Sequence, residues 1–176
     1  FRFASYAGTT GISKISAGAS LTTGEAAIAA IRVGNSKMDE DEVDPNNRYL
    51  FITPTLLGLI QDMETTKSKE VLQNFAGIRK VPQSRFYTAI SQYDGSTSGE
   101  EAGGYVKDST SGCDINFMII EKSAVIQFEK HVAPKIITPD QNQNADAYKF
   151  GYRNVGIADV YDNKVAGIYL HHKAKG

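Results

Sequence analysis

At 176 residues, with 19 basic and 20 acidic side chains and a net charge of -1, the chain can bury one good core or two small ones. Its Lys and Arg are scattered, which argues against a dedicated nucleic-acid binder, since such a domain carries a basic excess or stripe. No apolar run approaches the roughly 18 residues of a membrane span, and no basic segment followed by an apolar stretch opens the chain as in a signal peptide. A lone cysteine, Cys113, excludes an internal disulfide. With no histidine near it in sequence, it reads as a buried or loop thiol, not a nucleophile. Nine tyrosines and eight phenylalanines, without tryptophan, suit strands with aromatic cross-strand pairs.

In chain order, residues 1–20 are Gly/Ser/Thr/Ala-rich, with Ile12 and Ile15 as apolar anchors, and read as a connector or a short edge strand. The start at Phe1, in mid-pattern, reads as that of a fragment or a processed product. Thr22 and Glu25 have capping-box spacing, and Ala26, Ala27, Ile28, Ala30, Ile31, Val33 and Met38 supply a helical apolar face over about 21–38. The acidic run Asp39, Glu40, Asp41, Glu42 and Asp44 lacks the Asp, Gly and final Glu spacing of a calcium loop and reads as a solvated helix end and turn.

Tyr49–Ile52 predicts a buried strand. Thr53-Pro54 then starts a helix over about 54–63, with Leu56, Leu59, Ile60 and Met63 on one face. This strand-to-helix step has no glycine-rich turn and no Gly-Lys-Ser/Thr, so it is no phosphate loop. A polar stretch, Thr65 to Glu70, precedes a strand at Gly77–Val81 stopped by Pro82. Residues 94–112, crowded with Gly and Ser, predict a long mobile loop. Strands follow at Ile115–Ile120 and Ala124–Phe128, then an extended piece with Lys130, His131 and Lys135, and a polar turn at Gln141–Asn144. The tail holds an alternating run (Tyr148, Phe150, Tyr152), a second run at Ile157–Tyr161, an Asp162-Asn163-Lys164 break and a third run at Ile168–Leu170. It predicts two or three strands folded back on each other. The pattern as a whole is α+β, with a mixed or antiparallel sheet.

Nothing in this pattern supplies catalytic machinery. Glu100-Glu101 are adjacent acids in a glycine loop, without the fixed separation that acid-base work needs. His171 and His172 point to opposite faces of a strand and cannot easily share a metal, and His131 is remote from them in sequence. No Gly-x-Ser-x-Gly elbow is present. Asp159 and Asp162 are explained by turn formation and by pairing with Lys164 or Arg153. The sequence assigns no catalytic, cofactor or metal residue, and the expected protein is not an enzyme.

Four groups of residues also resemble one family in order. They are Asp39–Pro45 running into Arg48-Tyr49-Leu50-Phe51-Ile52-Thr53-Pro54; Phe75 to Phe86, with its Val81-Pro82-Gln83-Ser84-Arg85-Phe86; Asn116–Ile120 with Ser123-Ala124-Val125; and the tail with Gly167-Ile168-Tyr169 and His171. Together these are similar to the major capsid proteins of tailed bacteriophages, the Hong Kong 97-type shell fold. Each motif is ordinary strand and turn chemistry, and their shared order over about 130 residues is what the resemblance rests on.

The resemblance implies residues 1–16 as a connector from a missing spine region and residues 17–122 as the first part of an axial domain, a sheet with flanking helices. Residues 123–155 would be peripheral-domain strands and 156–176 the return to the axial domain. It implies a coat protein of a phage or prophage, made in the bacterial host cytoplasm and residing in the virion capsid. Copies would assemble into pentamers and hexamers of an icosahedral shell enclosing DNA that is contacted only non-specifically. Its partners would be copies of itself, with scaffolding, portal or decoration proteins, no membrane and no cofactor. The family's N-terminal arm, extended loop and long spine helix have no counterpart, and 94–112 is a longer insertion than the family pattern implies. The alternative reading is a small-molecule or peptide-binding α/β module with 94–112 as a mobile lid.

Overall fold

The computed structural model describes residues 15–17, 20–63 and 65–174. It is α+β. The strands are β1 (Ile15–Ala17), β2 (Arg48–Ile52), β3 (Gly77–Lys80), β4 (Ile90–Tyr93), β5 (Gly104–Lys107), β6 (Ile115–Glu121), β7 (Val125–Ile137), β8 (Lys149–Val160) and β9 (Ile168–His172). The helices are α1 (Gly24–Glu40), α2 (Pro54–Gln61) and α3 (Thr66–Gln73). The connector expected over residues 1–16 lies largely outside the described residues. Its last described positions join Ala17 in edge strand β1, parallel to β9.

Five strands form one mixed sheet in the order β1-β9-β6-β2-β3. The two outer pairings are parallel and the two inner ones antiparallel. Two-residue alternation sorts its side chains. Leu50 lies opposite Ile119, which lies opposite Tyr169, and this row faces the helices; Phe51, Met118 and Leu170 form a row on the other face. The helical side is closed by Ile28, Ile31 and Met38 of α1, Leu56, Leu57 and Ile60 of α2 and Val71 of α3. Phe86 and Ala124 pack on the other side. Such double coverage explains why all seven residues of β6 are buried.

Several local expectations shift. The cap of α1 is Thr23, whose hydroxyl accepts from Ala26 N at 3.2 Å, so the helix starts after Thr23 and Thr22 is not the cap. On α2 the most buried residues are Leu56, Leu57 and Ile60, while Leu59 is only partly buried against the same core. The polar stretch from Thr65 is a helix, α3. Thr65 caps it by accepting from Ser68 N, and only Ser68 and Val71 are buried, so its apolar signal is too thin to read. Gly34 is where α1 closes on the sheet: a Cβ there would meet the Tyr169 ring at 2.8 Å.

The tail differs most. Its first two runs are one long strand, β8, pairing with β7, and its third run, β9, pairs with β6 and β1. The tail strands therefore do not pair with one another. A 3-10 segment at Asp162–Gly167 separates them.

The contacts divide the chain into two compact units, one reaching Val125 and resuming at Val160, the other Ile126–Asp159. The second is the β7–β8 ribbon. A Cβ on Gly156 would lie 3.4 Å from the Phe128 carbonyl, and one on Gly151 would lie 3.8 Å from Lys135. Positions rising along β7 thus meet positions falling along β8, which makes the ribbon antiparallel. Pro139–Gln141 form a 3-10 turn in its connection, and Asn142 Nδ2 donates to Ala147 O at 2.8 Å.

Candidate functional site

The residues with chemical potential are dispersed. His171 is buried on β9, where its ring stacks on Phe117 with centroids 5.2 Å apart. A register shift between Ile115 and Phe117 brings Asn116 Nδ2 to 3.0 Å from His171 Nδ1. With the amide donating, Nδ1 accepts and the ring proton sits on Nε2. Burial, and then the neighbouring His172, hold the His171 pKa below its ordinary value. His172 Nδ1 lies 2.7 Å from Lys173 O, and His131 is exposed on β7. Cys113 is half-buried, with its N–H donating to Thr88 Oγ1 at 2.9 Å. Among the described residues no group of three or more His, Cys, Asp or Glu side chains is placed to hold a metal ion.

The acidic segment is organised by hydrogen bonds. Asp44 accepts from Asn46 N at 2.9 Å and from Asn47 Nδ2 at 2.8 Å; the bond from the Asn46 backbone is the foremost cause of its lowered pKa. Buried Arg48 draws this turn onto β2: Nη1 pairs with Asp39 at 2.7 Å and Nη2 donates to Val43 O. Arg48 Nε and Asn35 Oδ1 are buried without a hydrogen-bond partner among the described residues, beside a polar cleft of about 420 Å³ that also borders Asn46, Gln73 and Asn74.

Residues 94–112 are built, not featureless. β4 and β5 pair with Ile90 opposite Lys107 and Tyr93 opposite Gly104. At the tip, Asp94 Oδ1 accepts from Ser96 N at 2.7 Å and from Thr97 N at 2.8 Å, which drives its pKa far down. Glu100 Oε2 accepts from Asp94 N and Glu101 Oε1 from Gly99 N, so this acid pair serves the turn. At the base, Asp108 accepts from Ser111 N, Ser91 Oγ and Thr110 N, and its pKa falls to about 2. Lys164, expected beside Asp162, instead donates to Ser123 Oγ at 2.9 Å.

Two features are suited to contact another molecule. The first is the ribbon. No residue of Ile126–Asp159 is buried, and Phe128, Ile136, Tyr148, Phe150 and Tyr152 are each at least 60% exposed. Tyr148 and Phe150 stack on each other with centroids 6.4 Å apart. The alternation at Tyr148, Phe150 and Tyr152 is visible in sequence, where it predicts a strand folded back on the rest of the tail; its partner is β7 instead. The second is an apolar basin of about 390 Å³ on the sheet face away from the helices, over Phe51, Met118 and Ile120, with Arg85 and Lys122 also lining it. The lid expected of 94–112 borders neither this basin nor the polar cleft beside Arg48.

No family model matches the chain, and no curated protein matches it. Among solved structures, a chain from Mycobacterium phage Che8 is similar, with a TM-score of 0.55 at 11% identity over 92% of this chain and 53% of that chain. The likeness concerns the fold alone, a fold that thus occurs in a phage protein, and this chain spans about half the length of that neighbour.

Proposed function

We propose that this chain is part of a phage or prophage shell protein of the Hong Kong 97-type, whose activity is contact between copies. In this reading the unit carrying the five-stranded sheet is the axial domain and the β7–β8 ribbon belongs to the peripheral domain. Subunits assemble as pentamers and hexamers around DNA that they touch without sequence preference, and no side chain does covalent chemistry. Scaffolding, portal and decoration proteins are the other partners this role entails, and the virion capsid is its place.

The observation that carries the reading is the ribbon. A two-stranded sheet is marginal in water unless one face is covered, and apolar side chains grouped on a surface mark contact sites. Here none of 34 consecutive residues is buried, and three aromatic rings stand exposed within five positions, Tyr148, Phe150 and Tyr152. A shell subunit has such surfaces because its neighbours cover them. The phage neighbour's fold and the order of the four capsid-like motifs support the same role.

The test is a double variant, Phe150→Ser/Tyr152→Ser, in the product of the complete reading frame. Both side chains are exposed, so the subunit is expected to fold with an unchanged circular dichroism spectrum but to lose assembly into particles. Particles formed in wild-type yield by this variant would refute the assignment of the ribbon to subunit contact.

A further inference from the structure

We propose that the apolar basin on the helix-free face of the sheet is a docking site for a second copy of this chain, which seats its Tyr161 ring there and sets its Asp162 carboxylate against Arg85 and Lys122. The inference deepens the assembly reading and rests on it for the premise that copies meet.

The basin itself argues for an occupant of mixed character. Its floor is Phe51, Met118 and Ile120, its walls include Phe86 and Val125, and its volume of about 390 Å³ lies in the range of sites that enclose a ring or a short apolar chain. Only cations are charged among its lining residues. Arg85 and Lys122 are both exposed, and neither makes an ion pair among the described residues. An apolar hollow with two uncompensated cations favours an apolar group carrying a carboxylate over a neutral or cationic one.

Among its described residues the same unit offers one such group. The exposed large apolar side chains described in it are Val33, Tyr105 and Tyr161. Val33 follows Arg32 and Tyr105 lies two positions before Lys107, whereas Tyr161 is followed directly by Asp162. Tyr161 is 46% exposed at the head of the 3-10 segment Asp162–Gly167. Tyrosine brings a large rigid area at low entropic cost, and its hydroxyl can stay wet at a polar rim. Knob and basin thus belong to one unit and differ in charge, so one copy can present the knob that the next receives.

The experiment uses the 176-residue chain with labelled methionine and valine methyl groups. Wild type is expected to show concentration-dependent shifts of the Met118 and Val125 methyl signals. Arg85→Glu/Lys122→Glu and Asp162→Lys, each alone, are expected to weaken this self-association at least about tenfold, and mixing the two variants restores the shifts. Tyr161→Ala is expected to abolish them. All four positions are exposed, so a retained methyl spectrum verifies folding.

Absence of concentration-dependent shifts in wild type would overturn the docking, as would reversed variants that associate like wild type or a mixture that restores nothing. The readout is independent of shell formation. Particles from the complete reading frame without docking shifts would overturn this contact and leave the assembly reading standing, whereas docking shifts without particles would uphold the contact and count against that reading.

Discussion

Leu57 and Leu59 stand two positions apart on α2 in different surroundings, Leu57 being 3% exposed inside the helical core and Leu59 packing on its margin. Leu57→Ala is expected to cost about 2–5 kcal/mol, and Leu59→Ala clearly less, because a half-buried side chain leaves a smaller cavity. Denaturant melts of the two variants check the ranking, and a larger loss at Leu59 would contradict the packing. Helical spacing alone selected Leu56, Leu59, Ile60 and Met63. With two leucines adjacent, spacing fixes the stripe only to within one residue, and the contact with α1 and the sheet decides which is inside.

His171 makes stability depend on pH. Its folded pKa lies below the unfolded value of about 6.5, so the folded state binds the proton less well than the unfolded chain. The stability held by the neutral ring is complete above that unfolded value and is lost as pH falls toward the depressed folded pKa. Urea melts between pH 7.5 and 5 are expected to show falling stability, with a shallower slope in His171→Gln. Equal slopes would mean the ring is solvated. The sequence placed His171 and His172 on opposite faces of a strand, but burial of His171 on Phe117 follows from the β6–β9 register, which no local pattern contains.

At the scale of elements, the β4–β5 hairpin depends on side chains that hold backbone. Asp94 and Asp108 each collect several N–H and hydroxyl donors around turns rich in glycine, of which Gly103 and Gly104 have φ of 59° and 85°. Asp94→Ala is expected to accelerate proteolysis between residues 94 and 103 while leaving the melt of the sheet nearly unchanged; unchanged cleavage would show that the cap does not order the tip. The carboxylate of Asp108 works in the same sense as His171, over a lower pH range. Its lowered folded pKa contributes stability that is present above the usual carboxylate range and lost as pH falls toward about 2. Gly/Ser richness concealed this hairpin because its order lies in hydrogen bonds to Asp and Glu, not in apolar periodicity. α3 was hidden for a related reason, with Val71 its one buried large apolar residue. The strands of the central sheet were legible because burial on one or both faces writes itself into Leu, Ile, Phe and Met.

At the scale of the whole molecule, one unit holds both core clusters and the ribbon contributes no buried residue to either. The sequence showed the apolar residues of the ribbon and the order of the capsid-like motifs, but it could not show that those residues stay exposed, since exposure is a property of pairing and coverage. The 176-residue chain alone is expected to be mainly monomeric, with small oligomers at high concentration. Exposed patches of this size must offset the lost translational freedom and the side-chain ordering of association, which keeps such contacts weak. Light scattering tests this, and spontaneous closed particles would contradict it.

The proposal that copies of this protein make a shell is decided by electron microscopy of the product of the complete reading frame, purified alone or with a scaffolding protein. Closed particles built of pentamers and hexamers, with the β7–β8 ribbon covered by neighbouring subunits, are expected. A folded, soluble product that remains monomeric under both conditions, or particles whose ribbons stand free in solvent, would contradict it.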